Sequence, residues 1–188
     1  IEDPSYKFMI VGKSYGDVEK KLKEQVEKLN IADRVMFVGE VPHEKVAIYY
    51  QIGDAFLNAS VSETQGLTFV EAMAAETPVN ARYDLNLEDL LVKNNAGLVY
   101  NTAEEFVENI KKLKENEEFR KEITENAFNA SQDYTAEKFG QRVEALYKKI
   151  IEEYDGHESF TIFRGEKYIQ QIRRWASLKP SKRSPWSK

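Results

Sequence analysis

Two glutamates, Glu63 and Glu71, stand eight positions apart around Gly66, and they are the side chains best placed to do chemistry. Residues 60–65 are polar, and residues 67–75 are apolar almost throughout. A polar loop that turns through a glycine into a helix exposes that helix's first backbone amides. Those amides, with the positive end of the helix dipole, suit a phosphate. Glu71 lies inside the apolar stretch, four residues after Leu67 and three before Ala74, so it shares their side of a helix. A helix this apolar is expected to be buried on most sides, where a lone carboxylate is costly. A glutamate accepts about four hydrogen bonds and can grip two neighbouring hydroxyls, which makes a vicinal diol a natural partner. Position alone leaves two readings open. Glu71 pairs with an arginine and Glu63 is a solvated loop acid, or both bond a ligand.

The elements around this stretch would position it. Residues 6–11 form a short apolar run ending at Gly12, which reads as a buried strand. Val18, Leu22, Val26 and Leu29 recur at helical spacing over residues 17–29. Residues 35–38 form the next strand, Pro42 opens a short helix, and residues 55–57 form a third strand. A helix over 67–75, a strand over 78–81, a short helix over 87–92 and a strand over 97–100 complete the series. This alternation predicts an α/β fold: a Rossmann-like parallel sheet with helices on both faces. In such a sheet the 60–66 loop lies at the carboxyl ends of the strands, where these folds bind ligands.

After Tyr100 only helices are expected. Thr102 and Glu105 form a capping box, and the helix they open carries Phe106, Val107, Ile110 and Leu113. A second helix carries Phe119, Ile123 and Ala127; a third, over 136–154, carries Phe139, Val143, Leu146 and Ile150. Residues 1–154 therefore read as one Rossmann-like domain, and 155–188 as a basic helical tail with Tyr168, Ile172 and Trp175 on one side.

Composition narrows the function classes. The chain has 188 residues, 41% of them apolar and 31% charged, with no cysteine. Disulfides and thiol chemistry are excluded, and a reducing cytoplasm fits. No apolar run approaches the ~18 residues of a membrane-spanning helix. The opening Ile1-Glu2-Asp3-Pro4 lacks the basic-then-apolar pattern of a secretory leader and stands just before a strand, as in a piece of a longer protein. Net charge is −5, yet residues 164–188 hold eight basic residues and one acid. An acidic body carries a basic tail. His43 and His157 are isolated, and no metal-ligand cluster is visible.

The stretch from Glu63 to Glu71, with Gly66-Leu67 between and Ala72-Met73-Ala74-Ala75 and Pro78-Val79 after, resembles the donor site of retaining glycosyltransferases of the GT-B fold. Those enzymes have two facing Rossmann-like domains. Phe8 to Gly12, the run from Asp33 to Gly39, and Ala96-Gly97-Leu98-Val99 resemble other strands of the same half, in the same order. Within that group, Ser62-Glu63-Thr64-Gln65-Gly66-Leu67-Thr68 and the run from Asp84 to Leu91 are similar to bacterial diacylglycerol glucosyltransferases. The Gly-Gly pair usual elsewhere near Asp84 to Asn86 is absent. Glu76 stands where the family usually has glycine, and Asn80 where it has a β-branched residue.

By this resemblance the catalytic-site carboxylate is Glu63, which bonds hydroxyls of the donor hexose with Thr64 and Gln65 beside it. Gly66 and Leu67 hold the distal phosphate with their amides, and Glu71 bonds the ribose diol. Gly12, Glu40 and Val41 border the nucleotide. The donor, UDP-glucose, is a substrate, and no cofactor or metal is implied. No side chain serves as nucleophile. Retention is explained in this family by attack on the face of the leaving phosphate, which helps accept the proton. The resemblance also implies that a lipid or saccharide acceptor is bound by an N-terminal domain absent from this chain, so this half alone should not catalyse transfer. Nucleic acid is not an expected partner. The basic amphipathic segment 166–188 is expected either to bind an anionic leaflet at the inner face of the cell membrane or to pack on the acceptor domain. Other readings are transfer to a capsule or wall polymer, a degenerate homologue that binds a partner protein, and a flavodoxin-like regulator. Intact Glu63, Gly66 and Glu71 argue against degeneration, and three helices after the last strand argue against the regulator.

Overall fold

The computed structural model describes residues 3–60 and 66–153. Its strands are β1 (Phe8–Val11), β2 (Val35–Gly39), β3 (Phe56–Asn58), β4 (Val79–Arg82) and β5 (Leu98–Tyr100). Between them run α1 (Val18–Lys28), α2 (His43–Gln51) and α3 (Leu67–Ala74), as the alternating pattern requires. Every strand pairing is parallel. The strands form two hydrogen-bonded sheets, β1-β2 and β3-β4-β5. The three residues of β3 direct their ladder to β4, with Phe56 opposite Val79 and Asn58 opposite Ala81.

Helix ends follow from local chemistry. Thr102 and Glu105 exchange the two hydrogen bonds of a capping box at the start of α4 (Ala103–Glu115), and Asn116 caps α5 (Glu117–Ser131). The stop of α3 is a Schellman turn: Thr77 N–H returns to Ala72 O at 2.9 Å and Glu76 N–H to Met73 O at 3.1 Å. Such a turn needs a left-handed residue, and Glu76 supplies it at φ +57°. The segment expected as a helix over 87–92 is a 3-10 turn, Leu85–Leu87, followed by one π turn, Glu88–Val92.

The core lies late in the chain. Phe69, Met73, Val79, Leu87 and Leu91 are almost fully buried, and Ala127 of α5 joins them where α5 packs on α3. Each large side chain so buried contributes about 1.5–3 kcal/mol. Gly97 belongs to this packing, since a Cβ there would stand 3.0 Å from Leu91 Cδ2 and 3.3 Å from Val79 Cβ. No residue of 3–60 is buried, which corrects the expectation of a buried first strand. Phe8 is 46% exposed because β1 has a single strand neighbour, and α1 buries none of its residues against the pair.

The chain divides into two compact units, residues 1–133 and 134–188. The described part of the second includes α6 (Ala136–Glu153), with Phe139, Val143, Leu146 and Ile150 along one side. No helix among the described residues is long and apolar enough to cross a membrane. The tail segment from 155 onward lies outside the described residues.

Candidate functional site

The chain leaves β3 under tight control. Asn58 Oδ1 accepts the Ser60 backbone N–H at 2.6 Å, and the Asn58 carbonyl accepts the Tyr100 hydroxyl at 3.0 Å. Burial pushes the Tyr100 hydroxyl up and Arg82 opposes the shift, so Tyr100 remains a donor at neutral pH. The carboxyl ends of β3 and β5 are thereby joined at the start of the loop. Glu63, Thr64 and Gln65 lie outside the described residues.

Gly66 opens α3 in the left-handed conformation, at φ +62° and ψ 31°. It is buried, and a Cβ there would meet Phe69 Cδ2 at 3.1 Å, so both conformation and space favour glycine. Its carbonyl takes the N–H groups of Phe69 and Val70, and among the described residues no side chain caps the helix start. The first amides of a helix begun in this way suit an anion.

Glu71 sits one turn further along. The expectation of a helix buried on most sides needs correction: Phe69, Ala72 and Met73 are buried, but Leu67 is 61% exposed and Ala74 is open. α3 packs on α5, α2 and β4, which leaves Leu67 and Ala74 exposed and Glu71 half-buried. Among the described residues its hydrogen-bond partner is a tyrosine and not an arginine. The Tyr50 hydroxyl on α2 donates to Glu71 Oε2 at 3.0 Å. Burial, reinforced by the Glu71 charge and the hydrogen bond, pushes the Tyr50 hydroxyl far up, which keeps it a donor.

Tyr50 was missed in the sequence, although a signal exists. Val46 and Tyr50, four apart, are both half-buried, so the tyrosine belongs to the inward stripe of α2. A tyrosine on such a stripe carries a hydroxyl that needs an acceptor.

The expected nucleotide-side residues meet at the ends of β1 and β2. Gly12 N–H donates to Gly39 O at 2.8 Å, which brings Gly12 beside the turn into Glu40 and Val41. Glu40 is exposed and pairs with Lys13 at 3.3 Å, a cation that the sequence reading did not single out. At the end of β4, Asp84 Oδ1 accepts the Asn86 N–H at 2.9 Å and closes the turn there. Among the described residues no group of three or more histidines or acids is placed to hold a metal.

The model of the family described as Glycosyl transferases group 1 matches residues 1–130. Alpha-monoglucosyldiacylglycerol synthase of Acholeplasma laidlawii is 33% identical over 149 residues, 79% of this chain and 37% of that protein. The enzyme of the same name from Streptococcus pneumoniae is 38% identical over 99 residues, 53% of this chain and 22% of that protein. The chain thus spans well under half the length of either relative. Among solved structures, sucrose-phosphate synthase from Thermosynechococcus elongatus superposes with a TM-score of 0.67 at 26% identity, over 76% of this chain and 38% of the other. Anabaena HepE, solved in complex with UDP-glucose, gives a TM-score of 0.71 at 23% identity, over 78% and 42% of the two chains. The fold is therefore the Rossmann-like half of a GT-B glycosyltransferase. With the family model covering more than half its length, the chain belongs to the group 1 glycosyl transferases.

Proposed function

We propose that this chain is the donor-binding half of a hexosyltransferase that moves glucose from UDP-glucose to a diacylglycerol-type lipid in membrane glycolipid synthesis. The observation that carries the reading is the half-occupied carboxylate of Glu71. Tyr50 holds Oε2, and among the described residues Oε1 has no hydrogen-bond partner. One oxygen held and one open, on the helix that Gly66 begins, suits a diol joined to a phosphate at the helix start.

In this reading Glu71 bonds the ribose diol, and the amides of Gly66 and Leu67 hold the distal phosphate. Glu63 bonds the hexose, flanked by Thr64 and Gln65. Glu40 and Val41 border the base, and Gly12 borders the nucleotide. The protein's work is positioning and charge stabilisation, and no cofactor takes part. The acceptor is assigned to a second, N-terminal domain, and the basic residues of 164–188 to an anionic leaflet on the cytoplasmic side. The names of the two synthases support glucose and the lipid acceptor.

The test is product formation. Full-length protein incubated with radiolabelled UDP-glucose and diacylglycerol-containing vesicles should yield a labelled glycolipid. Label passing only to a saccharide acceptor would replace the lipid reading, and no transfer to any acceptor would end it.

A further inference from the structure

We infer that Tyr50 is a positioning residue for donor binding: it fixes Glu71 Oε2 so that Oε1 is presented to the donor's ribose hydroxyls. The inference rests on the donor-site reading above and names what orients its central carboxylate.

A half-buried glutamate has three side-chain torsions and no fixed direction. Among the described residues Glu71 is held by one hydrogen bond, from the Tyr50 hydroxyl at 3.0 Å. Tyr50 is itself held by its ring. It meets Phe56 edge-on, with centroids 5.3 Å apart and planes at 79°, and Phe56 meets Phe69 edge-on at 5.8 Å and 73°. Phe69 is fully buried and lies against Gly66, the residue that opens the helix. One aromatic row therefore runs from the phosphate end of the site to the carboxylate that would meet the ribose. It links α2, β3 and α3 and sets the distance between the two contacts. Because the hydroxyl stays protonated, the hydrogen bond always donates toward Glu71 and keeps that oxygen from turning to the ligand. Preorganising one oxygen reduces the ordering that binding must otherwise impose.

The experiment compares UDP with 2′-deoxy-UDP by calorimetry on full-length protein. Tyr50→Phe keeps the ring and the aromatic row and removes only the hydroxyl. Its UDP affinity should fall about tenfold, the scale of one modest hydrogen bond, while 2′-deoxy-UDP changes little, so the preference for UDP collapses. In a Glu71→Ala background the same substitution should do nothing further. Phe56→Leu loosens the row but leaves the hydroxyl, and it should reduce the preference less than Tyr50→Phe does. If Tyr50→Phe keeps the preference while Glu71→Ala abolishes it, the role of Tyr50 is overturned and the donor site stands. Equal collapse in Tyr50→Phe and Phe56→Leu would make packing the cause and overturn it as well. If Glu71→Ala leaves the preference intact, the ribose assignment falls, and the role of Tyr50 with it.

Discussion

Asn109 on α4 donates through Nδ2 to Asn80 Oδ1 at 3.0 Å and to the Val99 carbonyl at 3.1 Å, pinning the helix to two neighbouring strands. Asn80 is fully buried and returns a longer bond, 3.4 Å, to the Phe106 carbonyl. Asn109→Ala should destabilise the fold by about 1–3 kcal/mol, because it leaves a buried carbonyl oxygen unpaired. Asn80→Val with Asn109→Leu should cost less than the sum of the single changes, as measured by urea unfolding in a double-mutant cycle.

Glu76 occupies the left-handed position of the Schellman turn that ends α3. A non-glycine residue there loses about 1–2 kcal/mol relative to ordinary helical backbone. Glu76→Gly should therefore raise stability by about 1 kcal/mol, visible as a higher thermal midpoint. An unchanged or lower midpoint would show that the glutamate side chain compensates.

The Lys114 ammonium donates to Asp3 Oδ2 at 2.8 Å and so joins the first described residue to α4. That bond, helped by the Ser5 backbone N–H, holds the Asp3 carboxyl well below the usual carboxylate range, and the Lys114 ammonium is correspondingly raised. A lowered carboxylate stabilises the fold above the unfolded value of about 4 and loses that contribution as pH falls through the folded value. A raised lysine stabilises below about 10.4 and loses its contribution as pH rises through its folded value. Asp3→Asn should lower the melting temperature at pH near 7, with a difference that narrows in strong acid and again in strong alkali. A difference constant with pH would remove the ion pair as its cause.

The basic tail supplies a prediction at the membrane. Each lysine or arginine near an anionic surface contributes about 1 kcal/mol, screened by salt. Charge reversal at Arg173, Arg174, Lys182 and Arg183 should abolish co-sedimentation of full-length protein with anionic vesicles and leave UDP affinity unchanged. Binding indifferent to these charges, to salt and to lipid charge would make the tail a structural strap.

Much of this was legible in the residues. Period and punctuation placed all five strands, and the Thr102–Glu105 capping box appears as read, because these signals are local. Gly66 was legible as the turn into a helix for the same reason. What escaped depends on packing between elements distant in sequence. Nothing near Tyr50 announces that its hydroxyl meets a carboxylate 21 residues on, and nothing near Lys13 announces Glu40. The exposure of β1 was hidden because an apolar run looks alike whether its sheet is covered or has a single neighbour. The oddity of Glu76 was visible in the sequence, but its cause, a positive φ, was not.

The central claim is that the Glu63-to-Glu71 stretch binds a nucleotide sugar with divided roles, and calorimetry on full-length protein tests it directly. Each lost hydrogen bond to a charged group is worth about 1.5–3 kcal/mol. Glu71→Ala should weaken UDP and UDP-glucose binding alike by that amount. Glu63→Ala should leave UDP binding nearly intact while reducing turnover and discrimination among sugars. Equal loss of UDP binding in both variants, or no loss in either, would contradict the account.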